Sequence, residues 1–253
     1  MIIIKTKKEI DYIRESSRIV AETLQLMKSN VTPGITTLEL DHIAEDYIKS
    51  NDAVPAFKGY SQGNARGFPG SVCTSIDEAV VHGIPNNRPL KEGEIVSLDV
   101  GVLKNNYYGD AAISVAVGNI SNEKKELLEV TEKSLYKGIQ QARVGNRVHD
   151  ISASVQKYVE KYGFSVVRDL CGHGVGKFLH EEPSIPNFGK NGTGAKLKNG
   201  MTLAIEPMVN AGSYSVVTDS DGWTVITADK SPSAHFEHTI LINGNNPEIL
   251  TVC

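Results

Sequence analysis

The segment LDVGVLKNNYYGDAAI, Leu98 to Ile113, constrains the fold most. Two apolar runs flank a polar turn at Lys104-Asn105-Asn106, so the segment reads as a β-hairpin. Each run carries one acid, Asp99 or Asp110. Side chains alternate between faces along a strand. A two-residue turn at Lys104-Asn105 sets Asp99 directly opposite Asp110. A turn at Asn105-Asn106 sets Asp99 opposite Ala112, which shares a face with Asp110. Both registers leave the two carboxylates on one face, with Cβ atoms roughly 5–8 Å apart. Like charges placed so destabilise a sheet, and a buried carboxylate needs a partner or a metal. A solvated face is the plain alternative, but Leu98, Val100, Ala111 and Ile113 surround the acids. A cation between them fits that setting better.

Around this hairpin, helical and strand patterns alternate in two rounds. TKKE (Thr6 to Glu9) and TTLE (Thr36 to Glu39) match the capping box. Ile10, Ile13, Val20, Leu24 and Met27 form an apolar stripe at helical spacing, which reads as core. A second helix carries Leu40, Ile43, Ala44, Tyr47 and Ile48. Strand patterns run from about Ala53 to Gly118. SNEKKELLEVTEKSLYKGIQQA and VHDISASVQKYVEKYG then read as helices, followed by strands at GFSVVRDL, MTLAIEPM, WTVITAD and HFEHTILI. At an offset of 111 residues, Gly34, Leu40, Tyr47 and Ile48 match Gly145, Ile151, Tyr158 and Val159. The pattern predicts two related halves, each laying a helix pair on its part of one sheet. SQGNARG, 61–67, reads as a surface loop.

Bulk properties bound the function. A chain of 253 residues suffices for one large α+β or α/β domain, or two small ones. The net charge of -4 gives no basic footprint for nucleic acid or a membrane surface. Cys73, Cys171 and Cys253 supply neither a disulfide framework nor a zinc knuckle and suit a reducing cytosol. MIIIKTKKEI is neither a signal peptide nor a membrane span. The expectation is a cytoplasmic globule.

More acids and imidazoles lie in the second half. LAIEPM places Glu206 in an apolar run that Pro207 ends, and AHFEHTILI places His235, Glu237 and Thr239 on one face. CGHGVGKFLHEEP sets His173 and His180 in what reads as a Gly-rich loop. Four carboxylates with imidazole suit Mn, Fe(II), Co or Zn. Two divalent cations balance four negative charges, which is the arrangement of two-metal hydrolases. Competing readings lack their partners. GHGVG is followed by no Walker Lys-Ser/Thr, and HFEH comes without P-C-x-x-C. Cys73 reads as a packed strand cysteine rather than a nucleophile beside His82, and a soft-ligand role for Cys171, two residues before His173, is disfavoured beside so many oxygens.

SVCTSIDEAVVHGIP, SLDVG, YYGDAAI, CGHGVGKFLHEEP, AIEPM and DGWTVITADKSPSAHFEHT, in this order, resemble the type I methionine aminopeptidases. The resemblance covers essentially the whole chain. It implies a pita-bread fold, α+β, with a pseudo-twofold antiparallel sheet covered by two helix pairs, as one domain over 1–253. It implies two divalent cations (Co, Mn, Fe(II), Zn or Ni) held by Asp99, Asp110, His173, Glu206 and Glu237, with Asp110 and Glu237 bridging. It casts Glu206 as the proton shuttle, and His82 and His180 as catalytic, substrate-contacting histidines. Tyr60, Phe68, Cys73 and Trp223 resemble the wall of a methionine pocket. SQGNARG is longer than the usual connection there, and Leu179 stands where an aromatic is frequent. The implied substrates are N-termini of nascent polypeptides, met in the cytoplasm at the ribosome, by a monomer.

Overall fold

A computed structural model describes residues 1–61 and 67–253, so the loop reading for 61–67 falls, but for its two ends, outside the described residues. The first half contains α1 (Lys7–Asn30), α2 (Thr37–Ser50), β1 (Val54–Pro55), β2 (Cys73–Ile76), β3 (Ala79–Val81), β4 (Ile95–Lys104) and β5 (Tyr107–Ala116). The second begins with α3 (Asn122–Ile139), α4 (Val148–Glu160), β6 (Ser165–Val166), β7 (Cys171–Gly174), β8 (Glu181–Pro186), β9 (Thr202–Ile205) and β10 (Met208–Asn210). It ends with β11 (Val216–Thr218), β12 (Val225–Thr227), β13 (Ser233–His235), β14 (Glu237–Leu241) and β15 (Glu248–Ile249).

The helices start where their caps predict. Thr6 and Thr36 each accept a backbone N–H from the glutamate three residues on, and each glutamate returns the bond. Ser121 caps α3 by accepting from Lys124, and the Asp150 carboxylate accepts from the Arg147 N–H at the start of α4. The sequence offset between halves has a structural counterpart. Gly34 and Gly145 both take positive φ, 101° and 95°, which only glycine adopts freely. Two residues beyond each, Thr36 bridges Pro89 and Arg147 bridges Lys196 as the chain enters α2 or α4.

One sheet of nine strands runs β1-β4-β5-β14-β9-β7-β8, with β2 also beside β4 and β15 beside β14. Its pairings are antiparallel. Leu98, Val100, Val102 and Ala111 pack under Val20, Leu24, Leu40 and Ile48 of α1 and α2. Leu203, Ile205 and Ile240 pack under Leu135, Ile139 and Ile151 of α3 and α4. Each helix pair thus covers one half of the sheet, as the pita-bread expectation requires.

Three strand expectations are corrected. HFEHTILI is not one strand: β13 ends at His235 and pairs with β10 in a small second sheet, and β14 starts at Glu237 in the main one. GFSVVRDL yields only the two residues of β6. His173 lies in strand β7 rather than in a loop, paired with β9, and only His180 sits in the connection to β8.

Candidate active site

The hairpin turn settles the register left open by the sequence. Asn105 and Asn106 have φ of 53° and 63°, the two positive values of a type I′ turn. Lys104 therefore pairs with Tyr107, Asp99 with Ala112, and Gly101 with Asp110. Paired residues project to the same face, so registers can be followed across the sheet. Asp99, Ala112 and Glu237 form one row over β4, β5 and β14. Thr239, Ala204 and His173 form the next over β14, β9 and β7. Asp110 joins that second row: the Thr239 hydroxyl donates to the Asp110 carbonyl at 2.7 Å. The alternate residues Val100, Ala111, His238 and Ile205 form a row on the helix side. The sheet therefore sorts acids to one face and core to the other.

The acids converge. Ligand atoms of Asp110, His173 and Glu237 lie within 4.8 Å of one another. His173 Nε2 is 3.4 Å from Glu206 Oε1 and 3.9 Å from Asp110 Oδ2. His173 Nδ1 is 2.9 Å from the Gly174 carbonyl. A carbonyl can only accept, so Nδ1 carries the proton and Nε2 offers its lone pair to the cluster.

Burial dominates the electrostatics. Asp99, Asp110, Glu206 and Glu237 all have pKa values pushed up, first by loss of water. Mutual repulsion adds to this at Asp110, Glu206 and Glu237. Asp99 reaches about 7. His173 is pulled down to about 3 and His82 to about 4, by burial and then by His180. The ionic partners that the described residues give these acids are imidazoles alone, and burial keeps those neutral. Asp99 Oδ1, Asp110 Oδ1 and Glu237 Oε1 are buried with no hydrogen-bond partner. Orphaned carboxylate oxygens around one neutral imidazole are a donor set for a hard or borderline divalent cation.

Above the acids opens a cavity of about 500 Å³. Every residue expected from the sequence lines it: Asp99, Asp110, His173, Glu206, Glu237, His82, His180, Tyr60, Phe68, Cys73 and Trp223. Phe68, Cys73, Tyr60 and Trp223 form one apolar cluster with Leu179 and Phe57. Phe68 and Trp223 meet edge to face at 5.4 Å. Cys73 stands opposite Asp99 across β2 and β4, which puts the pocket wall beside the acids. The Tyr60 hydroxyl is 2.7 Å from His180 Nδ1, and the His173 and His180 rings meet at 4.4 Å. His82 follows β3 with φ of 60°, unusual for a side chain with a Cβ and common where function holds a residue in place.

Two contributors escaped the sequence reading. Phe57 enters the wall because a turn joins the Tyr60 N–H to the Phe57 carbonyl, a local bond with no spacing signature. In the sequence His235 shows only a strand face shared with Glu237; in the fold it lies 3.8 Å from Glu206.

The model of metallopeptidase family M24 matches residues 11–244. The chain belongs to this family. This M24 metallopeptidase is 53% identical over 254 residues to the methionine aminopeptidase of Clostridium acetobutylicum, covering 100% of both chains. It is 54% identical to methionine aminopeptidase 1 of Bacillus subtilis, covering 99% of both. The crystal structure of methionine aminopeptidase from Thermotoga maritima superposes with a TM-score of 0.97 at 46% identity, over 100% of both chains. The metallopeptidase therefore has the pita-bread α+β fold of those enzymes, and its chemistry is metal-dependent hydrolysis.

Proposed function

We propose that the chain is a methionyl aminopeptidase, hydrolysing the first peptide bond of polypeptides that begin with methionine when the second residue is small and uncharged. The observation that carries this reading is the meeting of Asp99, Asp110, His173, Glu206 and Glu237 with an apolar wall of Phe68, Cys73, Tyr60 and Trp223 in one cavity. The names of its relatives support it. Asp99, Asp110, His173, Glu206 and Glu237 would hold two divalent cations. Cations held there supply Lewis acidity and lower the pKa of water to near neutrality.

The chain's own groups do the rest. Glu206, its Oε1 3.4 Å from His173 Nε2, takes the proton of the attacking water and hands it to the leaving amine. His180 is kept neutral by burial. In the tautomer whose Nδ1 accepts from the Tyr60 hydroxyl 2.7 Å away, Nε2 carries the proton and donates to the oxyanion that develops on the scissile carbonyl. Neutral His82 accepts from the backbone N–H of the next residue. Phe68, Trp223, Tyr60 and the soft thiol of Cys73 enclose the methionine side chain.

The substrates are N-termini of nascent polypeptides, met in the cytoplasm at the ribosome, and the chain acts as a monomer through one domain over 1–253. No helix among the described residues is long and apolar enough to cross a membrane. Incubation with Met-Ala-Ser, with and without Mn(II) or Co(II), tests the reading. Metal-dependent release of free methionine is expected. No release at saturating metal, or equal release from Ala-Pro peptides, overturns it.

A further inference from the structure

His235 is a buried side chain that this mechanism leaves unused. It is 1% exposed, and neither ring nitrogen has a hydrogen-bond partner among the described residues. Its backbone is held on both sides. The Ser114 hydroxyl accepts from the His235 N–H at 2.9 Å and donates to its carbonyl at 2.8 Å. The backbone that carries the ring is therefore fixed at the end of β13, one residue before the chain crosses into the main sheet.

What the ring faces is informative. His235 Nε2 lies 3.8 Å from Glu206 Oε2, while Glu206 Oε1 lies 3.4 Å from His173 Nε2. Glu206 stands between two imidazoles that differ in kind. His173 spends its proton on the Gly174 carbonyl, so it shows Glu206 a lone pair. His235 has no such commitment: a neutral imidazole carries one N–H, and neither of its ring nitrogens has a partner among the described residues. A buried N–H without an acceptor is costly, and an apolar side chain would avoid that cost. The present separation exceeds the usual hydrogen-bond length of about 3 Å, and a small rotation of either side chain closes it.

We propose that His235 is a positioning residue whose Nε2–H hydrogen-bonds Glu206 Oε2, fixing which carboxylate oxygen faces the metal position and which faces the reacting water. Partners behind a metal ligand orient it and raise its affinity. The catalytic consequence rests on the peptidase reading; the effect on metal binding does not.

The test uses the full chain and three variants. His235→Gln keeps a donor near the Nε2 position, His235→Asn keeps one near Nδ1, and His235→Leu has none. Mn(II) is titrated calorimetrically into metal-stripped protein without substrate, and kcat and KM are measured on Met-Ala-Ser. Leu and Asn should weaken Mn(II) binding about tenfold and lower kcat about 10–100-fold, with KM within about twofold. Gln should retain both within about threefold. The proposal is overturned if Leu matches the parent in Mn(II) affinity and kcat, if Asn performs as well as Gln, or if Gln loses as much as Leu. Should the Leu variant fail to fold by thermal melting, the Gln and Asn pair decides alone. If the parent releases no methionine, the peptidase reading falls, and the Mn(II) titrations still judge His235.

Discussion

Lys5 and Glu181 form a buried ion pair that ties the N-terminal segment to the residue next to His180. Both side chains are 2% exposed. Glu181 Oε1 also accepts from the Phe178 N–H at 3.1 Å, and the Lys5 N–H donates to the Gly200 carbonyl at 2.9 Å. Contacts distant in sequence therefore hold the turn that presents His180. Removing one partner of a buried pair strands the other's charge and costs about 3–5 kcal/mol. Lys5→Met should lower Tm by about 10 °C, using roughly 2–4 °C per kcal/mol for a chain of this size. The double variant Lys5→Met/Glu181→Leu should recover much of that loss, because no charge is left buried. Thermal melting checks both, and equal Tm values for Lys5→Met and the parent would contradict the role of the pair.

Metal-stripped protein should lose stability as pH rises from 6.5 to 8.5. The folded pKa of Asp99 is raised to about 7, and those of Asp110, Glu206 and Glu237 are also pushed well above the ordinary carboxylate range. In this window the native state holds more protons than the unfolded one, so stability falls with pH by about 1.4 kcal/mol per unit for each excess proton. The buried histidines His82, His173, His235 and His238 act oppositely, since their folded pKa values are lowered to about 4, 3, 3 and 4. Their contribution is complete about one unit above the unfolded value of about 6.5 and is lost as pH falls through it, so it offsets the decline only near pH 6.5 and not above about 7.5. Saturating Mn(II) should raise Tm most at pH 8.5. A flat or rising apo profile between 6.5 and 8.5 would show that the acids are not held protonated.

Asp110→Asn and His82→Ala should separate metal retention from substrate handling. Asp110 belongs to the converging ligand group, so Asn there should reduce metal content and activity together. His82 lines the cavity outside that group, so Ala should leave metal content nearly unchanged while kcat drops by about 10²-fold or more. Alanine keeps a Cβ at φ of 60°, so the backbone constraint is retained and the loss reports the ring. Elemental analysis beside steady-state kinetics distinguishes them. Metal loss in His82→Ala equal to that in Asp110→Asn would reassign His82.

Met-Ala-Ser should turn over much faster than Met-Ile-Ser. The second residue must come close to His82 and the acids while the carbonyl is attacked. A β-branched side chain there displaces the reacting atoms, and a shift of ~1 Å can cost about 100-fold. The loss should appear mainly in kcat/KM, and equal rates on the two peptides would show a more open site.

The sequence by itself determined whatever rests on local periodicity. Two strands and a short turn force Asp99 and Asp110 onto one face in either register, because strand side chains repeat every two residues. The capping boxes at Thr6 and Thr36 and the glycines at 34 and 145 are likewise local chemistry, and each stands where the sequence puts it. The site residues were legible as motifs, but not as a site derived from spacing. Tertiary structure decided which acids share one space. Glu237 reaches Asp99 through Ala112, and His173 reaches Thr239 through Ala204, by pairings between strands far apart in the chain. It also decided that the chain breaks at Phe236, turning what reads as one strand into two and leaving His235 beside Glu206. Periodicity carries no information about partners, because a strand's alternation is satisfied by any neighbour of matching face. Which strand becomes that neighbour follows from burying the helix-side core under both helix pairs at once.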